Sequence, residues 1–147
     1  MPNNIDNTRK SYAAFSAGDI PTLLEHIAPD CVWHVGGRSA VAGTYVGHEQ
    51  ILGYFGKLVE ISGGTFAVEL IDAAELPASG MVTALINTTM TVNETSTQVR
   101  MVELGRMNAK GQLAECWWFS EDQYAQDAAL GPATIVLPTQ TPAVTKV

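Results

Sequence analysis

The residues with the most chemical promise in this chain are carboxylates set among apolar and aromatic side chains. In "TSTQVRMVELGRMN", residues 95–108, strand alternation puts Val99, Met101, Glu103, Gly105 and Met107 on one face. Gln98, Arg100, Val102, Leu104 and Arg106 take the other, so Glu103 stands on an apolar face without a cation. Burial there disfavours the charged form, raises the pKa and lets a carboxyl exchange protons near neutral pH. The same side chain could instead be paired with a hydroxyl or a cation, or face solvent. "QLAECWWFSED", residues 112–122, carries Glu115, Trp117 and Phe119 at one parity, and Glu121 continues it. His34, in "VWHVGG", sits at a strand end beside two glycines and can donate a proton near neutrality, but alternation places it opposite Cys31, Trp33 and Val35.

Those side chains need elements to hold them. Residues 5–17 have helical spacing and stop at Gly18, with Phe15 directed to the sheet. Asp19 then caps a short helix, "IPTLLEHIA", that ends near Pro29, and "CVWHV" reads as a strand. "GHEQILGYFGKLVEIS" has Ile51, Leu52, Phe55, Leu58 and Val59 at helical spacing and stops at Gly63-Gly64. From Thr65 the period changes to two, predicting strands over 65–76, 80–93, 95–108 and 112–120. In these strands Ile86, Thr88 and Met90 join the inward set with Met101. A three-residue turn with Gly111 left-handed would pair Asn108 with Gln112, setting Glu103 opposite Trp117 and Gly105 opposite Glu115. Ser120 and Gln123 have capping-box spacing for a last helix over 121–130, followed by a Pro/Thr-rich tail.

Helices followed by hairpin-linked strands predict an α+β fold: a cone-shaped, curved antiparallel (mixed) sheet against three helices, enclosing a hydrophobic pocket. A chain of 147 residues buries roughly two-thirds of its unfolded surface, enough for one domain, expected over 1–130 with a tail over 131–147. Net charge is −7 with eight Lys and Arg, which argues against a nucleic-acid partner, and no segment suits a membrane. The expectation is a cytoplasmic protein. Cys31 and Cys116 lack metal or redox spacing and read as buried thiols. No metal or cofactor motif occurs.

Several phrases carry a resemblance: "YAAFSAGD", "LLEHIAPDCVWHV", "AGTYVGHEQILGYF", "GGTFAVEL" and "ECWWFSED". In them the chain resembles the nuclear transport factor 2-like superfamily, particularly its SnoaL-like polyketide cyclases and ketosteroid isomerases. The resemblance implies a cystatin-like α+β barrel, and it places the isomerases' catalytic tyrosine on Ser11, with Tyr12 on another face. It places their proton-shuttling aspartate on Val35, their hydrogen-bond-donating acid on Glu103, their helix-three pocket aromatic on Tyr54, and their last-strand wall on Glu115, Trp117 and Phe119. The cyclases' aspartate falls at Glu121-Asp122. Such folds serve isomerases, cyclases, dehydratases, epoxide hydrolases and non-catalytic modules.

Together these readings give a cofactor-independent enzyme moving protons on a hydrophobic polyketide-, terpenoid- or steroid-like molecule. Glu103 is the acid/base, aided by His34 or Glu121. Phe15, Trp33, Tyr54, Ile86, Met90, Met101, Glu115, Trp117 and Phe119 line the pocket. The rival is a non-catalytic ligand-binding or dimerisation module, and a third reading is an adaptor using the tail segment "TIVLP". A homodimer is expected through the outer sheet face, where Asn87, Thr89 and Thr91 join Val102 and Leu104.

Overall fold

The computed structural model describes residues 3–132. Helix α1 (Asn4–Ala17) starts at Asn3, whose side chain accepts from the Asp6 amide, and stops at Gly18. Helix α2 (Ile20–Glu25) is capped by Asp19 and carries Pro21 in its first turn. It is shorter than its sequence pattern predicts. Strand β1 (Ile27–Val35) begins at Ile27 because the His26 carbonyl accepts from the Leu113 amide, which draws this backbone onto the last strand. Strand β2 (Gly43–Val46), too short to show a period, leads into α3 (Gly47–Ser62), which buries Ile51, Tyr54, Phe55 and Leu58.

Strands β3 (Ala67–Leu76), β4 (Met81–Val92), β5 (Thr95–Met107) and β6 (Leu113–Ser120) complete a six-stranded sheet in the order β2-β1-β6-β5-β4-β3. All neighbours are antiparallel except β1 and β6, so the sheet is mixed. The expected α+β class and its cystatin-like shape hold. Helix α4 (Gln123–Leu130) starts later than the capping-box pattern suggests, because Asp122 rather than Ser120 caps it, accepting from the Ala125 amide. Its seat is the β1–β2 loop. Asp127 accepts from the Arg38 amide at 2.9 Å, and a Cβ at Gly37 would collide with Gln123 and Asp127. The segment "TIVLP" lies outside the described residues.

One irregularity decides which side chains face inward. The turn after β5 forms as expected, with Asn108 donating to the Gln112 carbonyl, and Met107 pairs with Leu113. Arg106, however, pairs with Glu115, so Ala114 is an extra residue in β6. This bulge turns every later side chain of β6 over. Glu103 lies opposite Trp118 and Gly105 opposite Cys116, one residue away from the expected register. Leu113, Cys116 and Trp118 are thereby buried, whereas the expected register would have turned Glu115 and Phe119 inward. Gly105 permits the arrangement, because a Cβ there would lie 2.7 Å from the Leu113 side chain.

Candidate functional site

Helix α1 packs chiefly along β3 and sends Thr8, Tyr12 and Phe15, at i, i+4 and i+7, toward the cavity in front of Glu103. The Tyr12 hydroxyl donates to Glu103 Oε1 at 2.9 Å. The Trp118 indole N–H donates to Glu103 Oε2, also at 2.9 Å. Glu103 is only 6% exposed, so both carboxyl oxygens are held by side-chain donors in a largely dry setting. Burial raises its pKa, and the two donors, with the Cys116 thiol, partly oppose the rise. The Tyr12 hydroxyl is pushed well above its ordinary range by burial and by the neighbouring carboxylate. Cys31 is pushed up to about 12, mainly by burial, and both cysteines are buried free thiols.

Beside this carboxyl lies a cavity of about 40 Å³. Its polar wall is Asn7, Thr8, Ser11, Tyr12, His26 and Glu103, and its apolar wall includes Phe15, Trp33, Phe55, Leu113 and Trp118. Water occupies about 30 Å³ in the liquid, so the space suits one water or one small functional group. Trp33 packs on Phe55 at 5.4 Å and on Trp118 at 5.7 Å between ring centres. Its buried Nε1 has no hydrogen-bond partner among the described residues.

The remaining sequence candidates separate into two groups. Tyr54, Ile86, Met90 and Met101 point inward but belong to the filled core and do not border the cavity. His34, Glu115, Trp117, Phe119 and Glu121 are on the opposite side of the sheet from Glu103. For Glu115, Trp117 and Phe119 this corrects the expected pocket wall, and the cause is the bulge at Ala114. His34 and Glu121 do not aid Glu103, because the sheet lies between them. His34 Nε2 meets Glu115 Oε2 at 2.8 Å, its Nδ1 meets Thr44 Oγ1 at 3.2 Å, and its ring stacks on Trp117. Arg106 reaches the other Glu115 oxygen at 3.4 Å. Hydrogen bonds from His34 and Arg106 lower the Glu115 pKa. Glu121 accepts from the Arg100 amide at 2.8 Å and pairs with its guanidinium, which lowers its pKa too. An open hollow of about 580 Å³, bordered by His34, Thr44, Trp117, Phe119 and Gln123, lies on this outer side.

The cavity also takes in residues that the sequence pattern does not assign to a site, Tyr12, Trp118 and His26 among them. Tyr12 was assigned to another face, yet its spacing from Thr8 and Phe15 carries the helical signal for this one. Trp118 was hidden by the unseen bulge. His26 caps α2 where that helix turns into β1 and borders the cavity, and no sequence motif marks it. Ser11, on which the isomerase tyrosine was placed, borders the cavity beside Tyr12, while Val35, at the aspartate position, is buried and cannot titrate.

The sequence pattern described as the SnoaL-like domain matches residues 8–116. The solved structure of Bal32a, from a soil-derived mobile gene cassette, is 29% identical with a TM-score of 0.82, covering 87% of this chain and 96% of its own. A Xanthomonas campestris protein of unknown function with a cystatin-like fold is 31% identical with a TM-score of 0.80, covering 88% and 98%. The uncharacterized protein Rv0034 of Mycobacterium tuberculosis H37Rv is 33% identical over 69 residues, 47% of this chain and 53% of its own. The matched region thus spans about half the length of that curated relative.

Proposed function

Because the chain belongs to the SnoaL-like domain family, within the nuclear transport factor 2-like superfamily, we propose that it is a small-molecule enzyme that works by proton transfer at Glu103. The observation that supports this most is a carboxyl 6% exposed, gripped through both oxygens by Tyr12 and Trp118 and bordering a cavity. Burial moves its pKa toward neutrality, where one group can both give and accept a proton. Cyclisation, isomerisation and dehydration of a hydrophobic, oxygenated molecule all need that capacity and no cofactor. With about 40 Å³ available, the reacting end of the substrate enters and the remainder stays outside.

The second reading, a ligand-binding module without catalysis, is favoured by Val35 at the position where the isomerases carry a carboxylate. Incubation with a panel of polyketide- and terpenoid-like ketones, followed by mass spectrometry, separates the two. New product that disappears in Glu103→Gln supports the enzyme, and retention of unchanged ligand supports the module. We place a homodimer contact on the outer sheet face, where Val102 is 37% and Phe119 55% exposed. Sedimentation of Val102→Glu against wild type tests it, a monomer being the expected result for the variant.

A further inference from the structure

The outer side of the sheet carries a second group of reactive side chains, separated from Glu103 by the sheet itself. A carboxylate only accepts hydrogen bonds, so the 2.8 Å contact between Glu115 Oε2 and His34 Nε2 puts the proton of the neutral ring on Nε2. Nδ1 is then the basic nitrogen, and it accepts from the Thr44 hydroxyl at 3.2 Å. Hydroxyl, imidazole and carboxylate form one relay from β2 through β1 to β6. The strand register holds it: Thr44 lies opposite His34, and His34 lies opposite Trp117, on whose ring the imidazole stacks at 5.3 Å. Arg106 reaches the second Glu115 oxygen at 3.4 Å, and hydrogen bonds from His34 and Arg106 keep this carboxylate ionised. The open hollow of about 580 Å³ respects the same order, since His34 and Thr44 border it while Glu115 stands behind them. Small organic ligands occupy pockets of about 300–1,000 Å³, so this space admits a whole molecule. Trp117 and Phe119 give it an aromatic wall, and Gly36, Gly37 and Gly43 leave bare main chain along another. His34 lies two strands and Thr44 three strands from Val102, toward the β2 edge and away from the proposed dimer contact.

We propose that this hollow is a second, hydrolytic site for carboxylic esters that carry an aromatic or other flat apolar group, with Thr44 as nucleophile, His34 as base and acid, and Glu115 positioning His34. A hydroxyl is a weak nucleophile until a base within hydrogen-bond reach takes its proton, and that base works best when a third group orients it. All three contacts are present here. In the first half the Thr44 proton passes to His34 Nδ1 and Oγ1 bonds to the ester carbonyl carbon, whose π pair moves onto oxygen. When that pair returns, the bond from carbon to the alcohol oxygen breaks, and the leaving oxygen takes the proton from the imidazolium. In the second half water gives a proton to Nδ1 and its oxygen bonds to the acyl carbon. Thr44 Oγ1 then leaves and recovers a proton from His34. The sum is ester plus water giving acid plus alcohol, without an oxidant, a reductant or a cofactor. The exposed position of Thr44 on an edge strand gives both the ester and water access to its hydroxyl.

The test uses the full chain with p-nitrophenyl acetate, whose ring suits the aromatic wall and whose release is read by absorbance. Wild type is expected to release a first equivalent faster than the rest, and peptide mapping of the quenched protein is expected to find the acetyl group on Thr44. Thr44→Val removes the hydroxyl at an exposed position with little change of shape, so the variant should fold as wild type does. It should lose the adduct and lower kcat/KM by about 100-fold or more, whereas Thr44→Ser should keep both the adduct and the burst. His34→Gln should slow acetylation by a similar factor. Glu115→Gln should lower kcat and leave KM in place, a split that mere loosening of the hollow would not give. Acetyl groups on lysines and the N-terminus with none on Thr44 overturn the proposal, and so does a wild-type rate in Thr44→Val. Hydrolysis that falls in His34→Gln but persists in Thr44→Val overturns it as well, because water rather than Thr44 is then the nucleophile.

Discussion

Glu103 and Glu115 stand on neighbouring strands, on opposite faces of one sheet, and the two faces treat the same side chain in opposite ways. On the inner face burial dominates and raises the Glu103 pKa, although two neutral donors hold its oxygens. On the outer face His34 and Arg106 supply charge-assisted partners in reach of water, and the Glu115 pKa falls. Hydrogen bonds alone therefore do not set the direction; solvent access decides whether they are overruled. A poised acid needs the first environment, and a surface network that holds strands β1, β5 and β6 together needs the second.

The largest test of this contrast is turnover. Once a substrate is identified, Glu103→Gln should lower kcat by about 10²- to 10⁴-fold, while Glu115→Gln stays within about threefold of wild type. Steady-state kinetics on both variants checks it, and equal losses would erase the distinction between the faces. Next in size is the device that sorts the two glutamates. Gly105→Ala places a Cβ 2.7 Å from Leu113, and overpacking of this kind costs about 1–3 kcal/mol, read from the urea midpoint. A neutral result would mean that Leu113 does not hold the bulge in place.

That bulge also marks where the sequence stopped being legible. Alternation assigned the faces of β4 and β5 correctly, because those strands pair without a register shift from Met81 to Val92 and end in a two-residue turn, Asn93-Glu94, with both φ positive. The inward position of Glu103 followed from that regularity, and so did its pairing with a hydroxyl as one of the alternatives. On β6 alternation failed for a physical reason. An extra residue at Ala114 costs little locally, and its benefit, Leu113, Cys116 and Trp118 inside with Glu115 outside, depends on contacts far away in sequence. The same non-locality hid Tyr12, whose hydrogen-bond partner Glu103 lies 91 residues further along the chain.

Proton linkage gives a third, smaller test. The folded-state pKa of Glu103 is raised, so its contribution to stability is fully present below the unfolded carboxylate pKa of about 4.3 and is lost as pH rises through the folded value. Wild type should therefore lose stability on going from about pH 4 toward neutrality, beyond what its other groups dictate, and Glu103→Gln should lack that component. Urea melts of both proteins at several pH values read the difference directly. Parallel curves would show that Glu103 is not poised.

The outer face predicts the opposite sign and the smallest effect. Glu115 has a lowered folded-state pKa, so its stabilising contribution is present above the ordinary carboxylate range and disappears as pH falls through the folded value. Its partners reach solvent, with 31% of the His34 side chain and 53% of the Arg106 side chain exposed, so the pairs are screened by salt. Glu115→Gln should lower the thermal midpoint less than Gly105→Ala does, and the deficit should shrink at high ionic strength and at acid pH. Calorimetry at two salt concentrations supplies the measurement. A deficit that persists in high salt would mean that Glu115 is shielded from water, as it would be if a second copy of the chain covered this face. The contrast would then lie between two buried sites rather than between a dry face and a wet one.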